Sequence, residues 1–212
     1  MSSQSRPPIA VALDTGDLAT ATRWAQAVAA HVSTLKVGLE LFCAEGPSAV
    51  EKIRATSDAE LFLDLKLHDI PATVAGAARS VAALSPDFLT IHASGGPAMI
   101  AAAAEALPDT RITAVTILTS LSDEDLDRLG IAGPPSEAVV RLARMAVDSG
   151  ARALVCSPQE VAVVRAAVGP ATTLITPGVR PADGDHHDQA RVATPQQAIA
   201  DGADLVVIGR PI

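Results

Sequence analysis

Eight short runs of β-branched and aliphatic residues, at 9–14, 34–39, 61–67, 88–93, 111–118, 153–157, 173–178 and 205–210, limit the architecture of this chain more than any other feature. Ala-rich amphipathic stretches separate them at 20–30, 48–55, 73–84, 97–107, 136–149, 159–168 and 195–201, which predicts seven intervening helices. Two of these announce their starts. Ser157-Pro-Gln-Glu160 and Thr194-Pro-Gln-Gln197 each place a capping hydroxyl, a proline at the first helical position and Glu or Gln three residues on. Strict βα alternation gives parallel strands joined by right-handed crossovers. Eight such units close most naturally into a (β/α)8 barrel, with a doubly wound open sheet as the other arrangement. The sequence stops at Ile212, directly after the eighth run, so the helix that ordinarily follows strand eight is missing or lies outside it.

Composition agrees with one α/β domain spanning 1–212. Half the residues are hydrophobic (49%) but only 2% are aromatic, so the core must be built from Ala, Val, Leu and Ile, which suits close packing of helices on a sheet. A formal net charge of -8 opposes non-specific attraction to nucleic acid or anionic lipid, and any anionic ligand must be held by a local site. Cys43 and Cys156 sit in apolar surroundings, form no CxxC and have no His at metal-ligand spacing, as expected of buried thiols in a reducing cytosol. No apolar run reaches the length of a membrane span, and the N-terminal residues 1–8 lack the apolar stretch of a signal peptide. A cytoplasmic, soluble protein is the expectation.

In a barrel of this kind functional groups sit at the C-terminal ends of the strands. Period two along 61–68 puts Asp64, Lys66 and His68 on one face and Leu61, Leu63, Leu65 and Leu67 on the other, so the polar face is predicted to look into the barrel mouth. A carboxylate and an ammonium buried together also allow a purely structural ion pair. Strand one ends in Asp14 and strand two carries Lys36, which brings a second acid–base pair to the same space; a rim salt bridge is the alternative for either residue alone. Asp69-Ile-Pro-Ala-Thr73 follows strand three, with Pro71 suited to open the next helix and Thr73 in its first turn.

Across the barrel, Thr176-Pro-Gly-Val-Arg180 ends strand seven and Val207-Ile-Gly-Arg210 ends strand eight, where such barrels commonly bind phosphate. Gly178 and Gly209 let backbone N–H groups approach an anion, and Arg180 and Arg210 offer guanidinium forks. The polar stretch 181–191 suits a lid and contains Gln189, a candidate phosphate contact; His186 and His187 within it read as solvated loop residues rather than metal ligands. His92, ending strand four, either backs the charged network or is a structural histidine. Thr119, Ser120 and Ser122 follow strand five, where hydroxyls can bond a ligand ring or cap a helix.

Taken together, Ala12-Leu-Asp14, Lys36-Val-Gly38, Asp64-Leu-Lys-Leu-His-Asp-Ile-Pro71, Thr176-Pro-Gly-Val-Arg-Pro181 and Val207-Ile-Gly-Arg-Pro211 resemble the orotidine 5′-monophosphate decarboxylase family over nearly the whole chain. The resemblance implies cofactor-free decarboxylation of orotidine 5′-monophosphate to uridine monophosphate. It implies that Lys66 protonates ring carbon six within a charge network of Asp64, Lys36 and Asp69, and that Asp14 and Lys36 hold the ribose. Asp69, Ile70 and Thr73 would reach into a partner subunit's site, which makes a homodimer necessary for activity. Thr119 and Ser122 would contact the pyrimidine, and Pro177, Arg180, Gln189, Gly209 and Arg210 would line the phosphate end of the substrate. Sugar-phosphate decarboxylases and hexulose-phosphate aldolases resemble the same Asp-x-Lys-x-x-Asp framework but act on an enediolate bound to Mg2+; the Ile70-Pro71 continuation and the Thr-Pro-Gly-Val-Arg-Pro loop argue against them. A nucleotide-binding module without turnover is the reading from a different class.

Overall fold

Parallel strands covered on both faces must be apolar on both, and the near-continuous burial of the strand runs meets that demand. The computed structural model describes residues 6–179 and 193–209. In it every predicted run is a strand: β1 (Ile9–Ala12), β2 (Thr34–Gly38), β3 (Glu60–Leu67), β4 (Phe88–His92), β5 (Arg111–Val115), β6 (Ala153–Val155), β7 (Thr173–Thr176) and β8 (Leu205–Ile208). They pair in sequence order, all parallel, and β8 pairs with β1, so the sheet closes into a barrel.

The helices are α1 (Leu18–Val28), α2 (Leu39–Glu45), α3 (Pro47–Arg54), α4 (Pro71–Val81), α5 (Pro97–Ala106), α6 (Asp123–Arg128), α7 (Pro135–Asp148), α8 (Val161–Val168) and α9 (Pro195–Ala200). Two of them go beyond the seven expected. Gly38 is both the last residue of β2 and the N-cap of α2, so no loop marks the change of period there. The six-residue α6 starts in a full capping box between Ser122 and Asp125. The two capping signals met different fates. Thr194 accepts a bond from Gln197 N and opens α9 as expected. At Ser157 only half a box forms, Ser157 N donating to the Glu160 carboxylate, while the Ser157 hydroxyl is buried without a partner and α8 begins later, at Val161.

Side chains from alternate strand positions form two separate apolar layers. Outward-facing Leu35, Leu63, Leu89, Ile112, Leu154 and Leu174 pack against helix residues such as Ala25, Ile53, Ala78, Ile100 and Ala143. Ala10, Phe62, Phe88, Ala153, Ile175 and Leu205 fill the lower barrel interior. Phe62 and Phe88 meet with ring centroids 5.6 Å apart, and the Arg111 guanidinium lies 3.6 Å from the Phe88 ring centroid while pairing with Glu60. This cation over an aromatic ring plugs the N-terminal end of the barrel, so the cavity opens at the other.

Leu89 is fully buried in the strand–helix layer. Leu89→Ala is expected to lower unfolding free energy by about 2–5 kcal/mol through lost transfer energy and a residual cavity, read from urea titrations of the two proteins.

Candidate active site

Alternation along β3 sends Leu61, Leu63 and Leu65 to the helix layer and leaves Asp64 inside, as the sequence predicted, above Phe62; His68, expected on the same inward face, is instead exposed, because β3 ends before it. Above Phe62 lies a cavity of about 830 Å3, and Asp14, Lys36, Asp64 and Lys66 all face it. They form a continuous row of alternating charge. Lys66 Nζ lies 2.7 Å from Asp64 Oδ1, Lys36 Nζ lies 3.2 Å from Asp64 Oδ2, and Lys36 Nζ lies 3.0 Å from Asp14 Oδ1.

The middle of the row is buried and its ends are open. The Lys36 and Asp64 side chains are 8% and 12% exposed, against 30% for Lys66 and 54% for Asp14. Burial alone would pull the Lys36 ammonium down, but the Asp64 and then the Asp14 carboxylates override it and hold the pKa above its ordinary value. Burial would likewise raise Asp64, yet Lys36 and then Lys66 hold it below the usual carboxylate range. Both central groups are therefore locked in their charged forms. The Asp14–Lys36 contact also depends on Gly38: a Cβ there would lie 2.7 Å from Asp14 Oδ1 and 3.0 Å from Lys36 Nζ.

Lys66 reaches its place through an irregularity in β3. The β3–β4 ladder pairs Leu63 with Leu89 and next Leu67 with Ile91, so Asp64, Leu65 and Lys66 together stand opposite Thr90. Two extra residues on β3 preserve the alternation of its leucines. The bulge puts Lys66 in the left-handed region, φ 50°, which disfavours a non-glycine residue by about 1–2 kcal/mol. Lys66 N donates to Thr90 Oγ1 at 2.8 Å, and the Thr90 hydroxyl donates to Asp64 Oδ1 at 3.0 Å.

His92 stacks on His68, with centroids 5.3 Å apart. Half-burial, then the neighbouring His68 and Lys66, lower the His92 pKa, so it is neutral near pH 7. Of the hydroxyls after β5, Thr119 lines the cavity, whereas Ser122 caps α6 and does not. Pro177, Gly178 and Gly209 line the opposite wall, Gly178 with φ 77°. Arg180, Gln189 and Arg210, with the stretch 181–191 and its histidines, lie outside the described residues. Asp69, Ile70 and Thr73 are exposed between β3 and the first turn of α4, which Pro71 opens as expected, and none of them is among the residues lining this cavity. Among the described residues no His, Cys, Asp or Glu cluster could hold a metal, and no helix is long and apolar enough to cross a membrane. Cys156 is buried as expected, its thiol pushed up to about 12 chiefly by desolvation, whereas Cys43, expected to be buried, is exposed, because α2 turns only Leu41 fully into the core.

Sequence reasoning passed over Gly38 as a packing requirement, Phe62 as the cavity floor, and Thr90. Period two on β4 carried the signal for the last, since it puts Thr90 on the same face as His92.

Comparison with known proteins gives one consistent result. Residues 7–212 match the family described as orotidine 5′-phosphate decarboxylase / HUMPS. The chain is 67% identical to orotidine 5′-phosphate decarboxylase of Thermobifida fusca, over 97% of this chain and 88% of that protein. It is 57% identical to the protein of the same description from Frankia casuarinae, over 99% of this chain and 82% of the relative. The crystal structure of orotidine 5′-phosphate decarboxylase from Lactobacillus acidophilus superposes with a TM-score of 0.80 at 35% identity, covering 98% of this chain and 92% of that one.

The His92 shift carries a pH signature. A base whose folded pKa is depressed below 6.5 contributes fully to stability above that value and loses it as pH falls. The urea midpoint is expected to drop between about pH 7.5 and 5.5, and His92→Gln to flatten that drop; equal drops in both proteins would remove His92 from the acid response.

Proposed function

The chain belongs to the orotidine 5′-phosphate decarboxylase / HUMPS family, and on that premise we propose that it decarboxylates orotidine 5′-monophosphate to uridine 5′-monophosphate and CO2 in pyrimidine biosynthesis, in the cytoplasm, with Lys66 as proton donor. The observation that carries this reading is the row Asp14, Lys36, Asp64, Lys66 facing one cavity.

When the carboxylate leaves the pyrimidine, the electron pair of the breaking C–C bond stays on ring carbon six, with no electron sink in the ring to receive it. A cation beside that carbon stabilises the developing charge and then gives it a proton, which solvent restores to the lysine. Lys66 suits both tasks: its ammonium is partly open to the cavity and has Asp64 behind it to hold its direction. Lys36 is less suited. Gripped by two carboxylates, with its pKa raised, it serves as a fixed positive charge and, with Asp14, as a ribose contact.

Asp64 also faces the leaving carboxylate, but two like charges 4 Å apart at an effective dielectric near 20 repel by only about 4 kcal/mol. The largest enzymatic accelerations need on the order of 20 kcal/mol. Preorganised charge around Lys66 and binding energy from the remote phosphate must supply most of that. Backbone N–H groups near Gly178 and Gly209, together with Arg180, Gln189 and Arg210, form the proposed phosphate grip, Pro177 flanks it, and Thr119 is the proposed ring contact. Both Asp64 oxygens are already engaged by ammonium groups, which weighs against this carboxylate ligating Mg2+ as the enediolate reading requires.

Asp69 would complete the charge network from a second copy of the chain. Its exposure outside its own cavity, beside exposed Ile70 and Thr73, supports a homodimer that exchanges these residues between sites.

Purified protein treated with EDTA is expected to consume orotidine monophosphate, followed by absorbance; no conversion, or conversion only with added Mg2+, would sink this reading. Lys66→Ala is expected to abolish turnover while still binding uridine monophosphate. Mixing inactive Lys66→Ala and Asp69→Ala proteins is expected to restore activity that neither parent has, because a heterodimer rebuilds one intact site; no restoration would put Asp69 in its own subunit's site.

A further inference from the structure

We propose that Thr90 is a positioning residue of this site: its buried hydroxyl ties the Lys66 backbone to the Asp64 carboxylate and thereby sets the direction in which the Lys66 ammonium meets the substrate. The inference rests on the decarboxylase reading for its kinetic consequence, and on the fold alone for its geometric one.

Three observations converge on this side chain. Thr90 is fully buried and stands alone opposite the Asp64-Leu65-Lys66 bulge. The bulge takes Lys66 N out of the regular ladder, and a backbone N–H so displaced needs another acceptor; Thr90 Oγ1 supplies it at 2.8 Å. A hydroxyl has one proton to give, and Thr90 gives it to Asp64 Oδ1 at 3.0 Å, the same oxygen that receives Lys66 Nζ. One hydroxyl thus holds both ends of the Lys66 residue: its amide directly, and its ammonium through the carboxylate. It also restrains a left-handed lysine, φ 50°, which without it would gain by relaxing toward ordinary backbone angles.

Thr90→Val keeps the branched shape and removes only the hydroxyl. With Lys66 misdirected by a fraction of an ångström to an ångström, kcat is expected to fall on the order of ten- to a hundredfold, since small misplacements of a reacting group carry penalties of that size. KM and uridine monophosphate affinity should stay within about threefold, because ground-state binding rests on other residues. Thr90→Ser, which restores the hydroxyl, should recover kcat to within about threefold of wild type, a recovery that lost core packing would not allow. Thr113→Val is the control. It deletes a barrel threonine hydroxyl that bonds only Arg111 O on its own strand, and wild-type kcat is expected.

Unchanged kcat in Thr90→Val, a KM rise matching the kcat loss, or failure of Thr90→Ser to recover activity would each overturn the proposal. The crystal structure of Thr90→Val needs no substrate: Lys66 is expected to leave positive φ and its ammonium to separate from Asp64. Retention of both features would overturn the proposal even with a fully active wild type. An inactive wild-type protein whose Thr90→Val crystal structure shows the shift would instead condemn the decarboxylase reading and leave the positioning role standing.

Discussion

A carboxylate buried between two ammonium groups is the constraint around which this barrel mouth is arranged. Asp64 cannot be removed from water alone, and Lys36 cannot either, so each is stable there only while the other and the flanking Asp14 and Lys66 are in place. The requirement spreads outward. Gly38 must lack a side chain for Asp14 and Lys36 to meet, β3 must bulge for Lys66 to turn back on Asp64, and Thr90 must carry a hydroxyl to satisfy the amide that the bulge exposes. Buried ion pairs are seldom better for folding than well-packed apolar residues of the same volume. Their presence at the mouth, above an interior floored by Phe62, Phe88, Ala153, Ile175 and Leu205, fits a role in chemistry rather than in stability.

The two lysines show how one row of charges divides labour. Lys36 sits between two carboxylates, almost fully buried, and its proton is held above the ordinary range, which makes it a poor donor and a good fixed charge. Lys66 has Asp64 on one side and the cavity on the other. On the proposed chemistry only the second arrangement works, because a donor must be held by a carboxylate and still open to the cavity where the reacting carbon lies. The strained backbone at Lys66 adds to the distinction: the residue asked to face the reacting carbon is also the one held in an unfavourable conformation, as strain concentrated at functional positions leads one to expect.

All eight strands and the inward face of β3 were legible in the sequence, because both follow from hydrophobic period alone. The meeting of Asp14, Lys36, Asp64 and Lys66 was legible too, since barrel closure in sequence order brings β1, β2 and β3 side by side. What escaped was geometry that period does not encode. The bulge adds two residues, an even number, so the leucine alternation runs through it undisturbed and leaves no trace in the pattern. Thr90 then looks like an ordinary strand threonine, because its importance comes from the bulge opposite it. Helix α2 was hidden for a related reason: it begins on the residue that ends β2. Ser122 carried the signature of a helix cap and is one.

The same bulge bears on the proposed homodimer. One residue after the left-handed turn at Lys66, β3 ends at Leu67, and Asp69 and Ile70 are exposed and do not line their own cavity. Ile70 is 66% exposed, an unfavourable state for a large aliphatic side chain, for which full burial contributes about 1.5–3 kcal/mol. A neighbouring subunit that covers Ile70 would gain that burial and, in the same movement, receive Asp69 at its own charge row. Asp69 follows Lys66 by three residues on the same segment, so on the proposed chemistry a change in the bulge would disturb two active sites at once, one in each subunit.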